Sequence, residues 1–164
     1  MTEKDWFEEE PGEEVLWEGK PHKNSLYPSI AVGILLIPAA GLGLLLIAFA
    51  YLDRENKNFL VTNQGVYRKS GIVSRRVKKI GFNKIQDTSY TQGYFGRMYN
   101  YGNLDITTAG GSQVEMKFQN ISKPEKVQKL VNNHIRSEET QSEKTEKDLL
   151  KEILNQLKEI NQKI

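Results

Sequence analysis

The chain has 164 residues, of which 27% are charged, no cysteine and a formal net charge of +2. That length allows one small folded domain plus a membrane segment, and without cysteine there is neither a disulfide framework nor a thiolate metal site. The small net charge hides an uneven distribution: residues 1–25 hold 3 Lys/Arg against 8 Asp/Glu (−5), residues 53–137 hold 15 against 6 (+9), and residues 138–164 hold 5 against 7 (−2).

Residues 1–24 open with MTEKDWFEEEPGEE, an acidic run unlike the basic start of a secretory signal. Residues 14–19 (EVLWEG) read as a strand or an interfacial segment. Residues 25–52 (SLYPSIAVGILLIPAAGLGLLLIAFAYL) then contain no charge. About 20 apolar residues in a helix cross the ~30 Å hydrocarbon core, so this stretch is expected to be a retained membrane anchor. Pro38, Gly41 and Gly43 interrupt its centre. Either one kinked helix spans the bilayer, or two arms of about ten residues form a re-entrant hairpin. Arm length and the cost of bare backbone in lipid favour the single span, with Trp17, Tyr27 and Tyr51 as interfacial anchors. The basic segment after the anchor, with Arg54, Lys57, Arg68 and Lys69 near the membrane, places residues 53–164 in the cytoplasm. A single span then places Met1 outside.

Residues 53–136 change to short alternating runs separated by turn residues. Strands are predicted at Asn58–Thr62, then over residues 66–69, 74–81, 87–92, 102–108 and 113–118, the last pair joined by a hairpin at residues 109–112. A helix follows, with Ser122 as N-cap, Pro124 in the first turn and Glu125 completing a capping box. Its apolar stripe is Val127, Leu130, Val131 and His134/Ile135. This pattern predicts a small antiparallel sheet or barrel closed by a helix. Residues 137–147 (SEETQSEKTEK) read as a polar linker. In residues 148–164, Leu150, Ile153, Leu157, Ile160 and Ile164 recur at intervals of 3 and 4, the spacing of a coiled-coil seam, with Leu149 and Leu154 widening the stripe. Two heptads alone make a marginal helix, so this seam is expected to form against another copy, a partner or its own domain.

Arg75, Arg76, Lys78 and Lys79 are the candidate contact to an anionic membrane surface. The competing reading is a solvated edge strand whose lysines block strand addition. Tyr90, Tyr94, Phe95, Tyr99 and Tyr101 are either core packing or a patch at the interface or a partner. No helix-turn-helix or RNA-binding motif accompanies the basic charge, so no nucleic-acid partner is expected. His22 and His134 lie in unrelated segments, Asp87 and Asp105 are isolated, and no phosphate-loop, nucleophile-elbow or zinc-protease motif occurs. No enzymatic activity, metal or cofactor is expected.

Several motifs in order resemble the pleckstrin-homology-like domain of bacterial and archaeal membrane-flanked proteins. They are EVLWEGKPH before the anchor, then FLVT (59–62), GVY (65–67), GIVS (71–74), IQD (85–87), Gln92, YGNL (101–104) and TAGG (108–111). The resemblance covers residues 12–135. It implies a mainly β domain with α, seven bent strands as a barrel or sandwich capped by a C-terminal helix. It also implies a membrane-associated scaffold without catalytic residues. Many members carry two anchor spans where this chain has one run of 28 residues, which keeps the hairpin in contention. The expected function is a membrane-anchored adaptor at the cytoplasmic face that contacts proteins or anionic lipid. The alternative is an accessory subunit of a larger transport or secretion complex.

Overall fold

In the computed structural model, residues 6–37, 42–72, 74–110 and 114–162 are described, the last four by their backbone alone. The predicted strands form, and the pre-anchor stretch joins them. Strands β1 (Val15–Gly19), β2 (Asn58–Thr62), β3 (Gly65–Ser70) and β4 (Arg76–Gly81) make one antiparallel sheet in that order. Strands β5 (Ile85–Thr91), β6 (Tyr101–Thr108) and β7 (Val114–Ser122) make a second. Alternation explains the core. Phe59 and Val61 of β2, Val66 of β3, Ile80 of β4, Leu104 and Ile106 of β6, and Met116, Phe118 and Ile121 of β7 bury one shared cluster. Helix α4 (Pro124–Gln162) closes it with Val127 and Val131. Phe118 is central: it stacks on Phe59 (centroids 4.8 Å apart) and on Trp17 (6.1 Å). Trp17 is therefore a core residue of β1 and not an interfacial anchor.

The single span does not form. The apolar run folds as two helices, α1 (Tyr27–Leu35) and α2 (Leu42–Glu55), and among the described residues no helix is long and apolar enough to cross a membrane. The helices pack antiparallel, and Gly33 and Gly43 allow the close approach: a Cβ on Gly43 would overlap the Gly33 carbonyl, and one on Gly33 would strike Ile47. The centre of the predicted turn, residues 38–41, lies outside the described residues. Register explains why a hairpin is required. Gly19 pairs with Phe59 and Val15 with Thr62, so the chain must leave the sheet at residue 19 and return beside itself at residue 58. A span carrying β1 across a bilayer from β2 would forbid that pairing. The N-terminal segment is thus part of the same folded domain, contrary to the expectation that it lies across the membrane from it.

The C-terminal region also differs from expectation. Helix α4 runs unbroken over Pro124–Gln162, 39 residues, about 58 Å at 1.5 Å per residue. The expected linker at residues 137–147 is helical. It has no Gly or Pro, and its four Glu and two Lys tolerate a helix well. Its hydroxyls turn back on the preceding turn (Ser137 to the Asn133 carbonyl, 2.9 Å; Thr140 to Arg136, 2.8 Å; Thr145 to Gln141, 3.0 Å). Glu143 and Lys147 pair across one turn at 3.6 Å. At the other end Ser122 remains in β7, and Lys123, at φ 49°, is the residue whose carbonyl receives the first helical N–H groups. Pro124 starts the helix as predicted, while Glu125 pairs with Lys129 at 2.7 Å in place of the capping box.

Candidate functional site

Among the described residues, the largest group of exposed apolar side chains lies on the α1–α2 hairpin. The chain turns out of β1 through a short 3-10 turn, Lys23–Leu26, capped by His22, whose Nδ1 accepts the Asn24 N–H at 3.2 Å. The His22 N–H donates to the Asn120 carbonyl of β7 at 2.6 Å, and its ring stacks on Tyr101 at 5.5 Å. The foot of α2 is held to the same place, because Arg54 Nε donates to the Pro21 carbonyl at 3.0 Å and Glu55 pairs with Lys20 at 3.9 Å. Both feet are therefore fixed to the domain. The shafts are not covered. Leu35 is 78% exposed and Leu45 69%, with Val32, Ile34, Leu42, Leu44, Leu46, Phe49 and Leu52 also exposed. Exposed apolar surface this continuous on a domain of this size marks an interface.

Two further elements lie at this end. Residues 94–99, read from the sequence as core packing or a patch at the interface or a partner, form helix α3 (Tyr94–Tyr99), closed by Asn100 in the left-handed region at φ 56°. Of the five aromatics in this stretch, Tyr101 is buried, whereas Tyr94 (80% exposed), Phe95, Tyr90 and Tyr99 are not, so the core-packing reading holds only for Tyr101. Tyr99 meets Tyr27 of the hairpin edge-on at 5.8 Å. Phe95, Tyr99, Tyr27, Pro28 and Ala31 line a cleft of about 240 Å³ between α3 and the hairpin foot. The β3–β4 turn is at the same end, because Asn58 pairs with Lys69 and Ser70 with Arg76. Gly71 makes that turn at φ +119°, and exposed Ile72 follows it.

The four predicted cations have different surroundings. β4 is the edge of its sheet, and alternation sends neighbours to opposite faces. Lys78 reaches across to the Glu115 carboxylate and carbonyl of β7. Lys79 pairs with Glu10 at 2.6 Å and lies over the Tyr67 ring at 5.2 Å. Arg75 and Arg76, at the hairpin end of β4, are exposed and make no ion pair among the described residues.

The acidic N-terminal segment is the feature the sequence concealed. Phe7 packs edge-on against Tyr67 (4.9 Å) and joins Leu60, Trp6 and Val15 in a second small core on the outer face of the first sheet. Glu13 is buried there. Its Oε1 accepts the Thr62 and Tyr67 hydroxyls, each at 2.7 Å, and its Oε2 the Glu10 N–H at 3.3 Å. Burial pushes the Glu13 carboxyl up, but these donors and the nearby charge of Lys79 outweigh it and hold the group below its ordinary value. Burial, with the Glu13 carboxylate beside it, pushes the Tyr67 phenol up to about 12 against the opposing pull of Lys79. The only hint in the sequence was an aromatic pair, Trp6-Phe7, inside an acidic run.

The predicted seam lies far from this end. Helix α4 starts beside Gly102 and Asn100 at the hairpin end and crosses the sheets. It leaves at the opposite end, where His134 stacks on Phe82 at 5.4 Å. Leu149, Leu150, Ile153, Leu154 and Leu157 are all more than half exposed. The Ile160 side chain and Ile164 fall outside the described residues.

A family model described as Bacterial PH domain matches residues 24–135. No curated protein and no solved structure matches the chain. The matched stretch begins in the 3-10 turn that precedes α1 and ends where α4 leaves the core, so it takes in six of the seven strands seen here, β1 being the exception. With that match covering well over half its length, the chain belongs to the bacterial PH domain family.

Proposed function

We propose that this protein is a membrane-anchored adaptor whose PH domain is held against the cytoplasmic face by the α1–α2 hairpin. The observation that carries the reading is a hairpin clamped at both feet to the domain while its apolar side chains face outward along both shafts. The uncharged part of α2, residues 42–52, is about 17 Å long and α1 about 14 Å. Each is close to half the ~30 Å hydrocarbon thickness, which suits burial in one leaflet. The surroundings fit the same depth. Tyr94, Phe95 and Tyr99 beside the foot match the rings common at headgroup level, and Arg75 and Arg76 would meet anionic lipid, each worth about 1 kcal/mol there. The basic excess of the domain supports the cytoplasmic side. No step of this reading requires a reaction at the site.

The test uses the natural lack of cysteine. Single cysteines at positions 35, 45, 94 and 83, each carrying an environment-sensitive dye, are placed in the full chain in anionic vesicles. The dyes at 35 and 45 should be quenched by lipid-borne groups and shielded from iodide. The dye at 94 should be intermediate, and that at 83, on the far end, fully open to iodide. Equal iodide quenching at 35, 45 and 83 would refute the anchor.

A further inference from the structure

We infer that α4 is a stalk that carries an assembly seam away from the anchor and gathers three or four copies of this chain in parallel. Beyond Glu138 every described side chain of α4 is exposed, through Lys158. Residues 139–162 thus continue about 36 Å past the domain, on the end opposite the hairpin. A helix leaving in that direction cannot fold its stripe onto its own domain without breaking, so the occupant comes from elsewhere.

The stripe itself indicates which occupant. Leu150, Leu157 and Ile164 fall at heptad position a, and Ile153 and Ile160 at d. Leucine at a with isoleucine at d shifts parallel helices from dimers to trimers or tetramers. Leu149 and Leu154 occupy the flanking g and e positions and are 59% and 51% exposed, so the apolar band is wider than a two-helix seam covers. In register, Leu149 at g faces Leu154 at e of the next copy, an apolar pair with no charges opposed. Lys151 and Lys158 sit at b, and Asp148 and Asn155 at f, facing away from the seam. An isolated two-heptad helix would be marginal, but here the helix is already nucleated by Val127 and Val131 in the core. The parallel orientation rests on the proposed anchor: copies in one membrane send their stalks the same way, at raised effective concentration.

Native mass spectrometry of the full chain ejected from lipid vesicles should count three or four copies. Leu157→Asp, at the centre of the seam and already exposed, should reduce the count to one, and Lys151→Glu should leave it unchanged. Leu150→Cys should form a disulfide between copies on oxidation, since parallel helices bring identical positions together at the first position of the seam. One or two copies in the unaltered protein overturns the inference, as does an unchanged count in Leu157→Asp. A foreign protein in place of the copies, or an intact assembly that never forms the 150–150 bond, overturns it as well. Alkaline washing of the same vesicles reports the anchor separately, and Leu157→Asp should stay with the lipid.

Discussion

Leu35→Asp combined with Leu45→Asp should move the protein from the membrane to the soluble fraction. The two leucines are the most exposed apolar residues of the hairpin shafts, at 78% and 69%. An aspartate in the hydrocarbon costs about 2.5–3.5 kcal/mol on an insertion scale where leucine is slightly favourable. Two such changes lower partitioning by roughly 6–8 kcal/mol, on the order of ten-thousand-fold or more. Neither side chain belongs to the core cluster, so the domain should unfold at its original temperature in the released protein. Sedimentation after alkaline washing, paired with a thermal melt, separates the two effects. Continued retention with an unchanged melt would show that the hairpin does not hold the protein to lipid.

Glu13→Ala should destabilise the fold by about 3 kcal/mol near pH 7. The change removes the acceptor of two buried hydroxyls, and hydrogen bonds to a charged group are worth about 1.5–3 kcal/mol each. Thr62 is fully buried and Tyr67 nearly so, so water replaces the carboxylate poorly. The effect should depend on pH. The folded-state pKa of Glu13 is depressed, so its contribution is complete above the unfolded value of about 4.3 and fades as pH falls through the folded one. Urea unfolding of both proteins near pH 7 and again near pH 3 should show the gap between them narrowing on acidification. A gap that is the same at both would mean that the carboxylate is not what secures the N-terminal segment.

Local pattern was enough for the strands. Alternation in residues 104–107 and 114–118, and turn residues at 63–65 and 70–71, place the ends of β2 to β7 within two residues of where they form, except that β7 runs on to Ser122, past the predicted end at residue 118. The motif order also pointed to the family that the comparison supports. Three features escaped for physical reasons. Hydropathy measures transfer into lipid and carries no information about whether the ends of a run must return to one sheet. The Gly19–Phe59 pairing that decides this for residues 25–52 is non-local. The residues of 137–147 are polar enough to suggest a linker, yet they contain no helix breaker and extend a helix nucleated elsewhere. Glu13 resembles its acidic neighbours, and only the arrival of Thr62 and Tyr67 from 49 and 54 residues away distinguishes it. The surroundings of the four cations were equally non-local. Four charges adjacent in sequence are divided by strand alternation and by Glu10 and Glu115, so that Arg75 and Arg76 alone remain open among them.

The relation of the two chain ends to the membrane separates a one-leaflet hairpin from a span more directly than any substitution. Different epitope tags placed before Met1 and after Ile164 can be exposed to protease in sealed, right-side-out vesicles and again after the vesicles are opened. With β1 paired to β2 and a hairpin that enters and leaves by the same face, both tags should survive in sealed vesicles and both should be digested once they are opened. Digestion of the N-terminal tag alone in sealed vesicles would place the two ends on opposite sides and contradict the account.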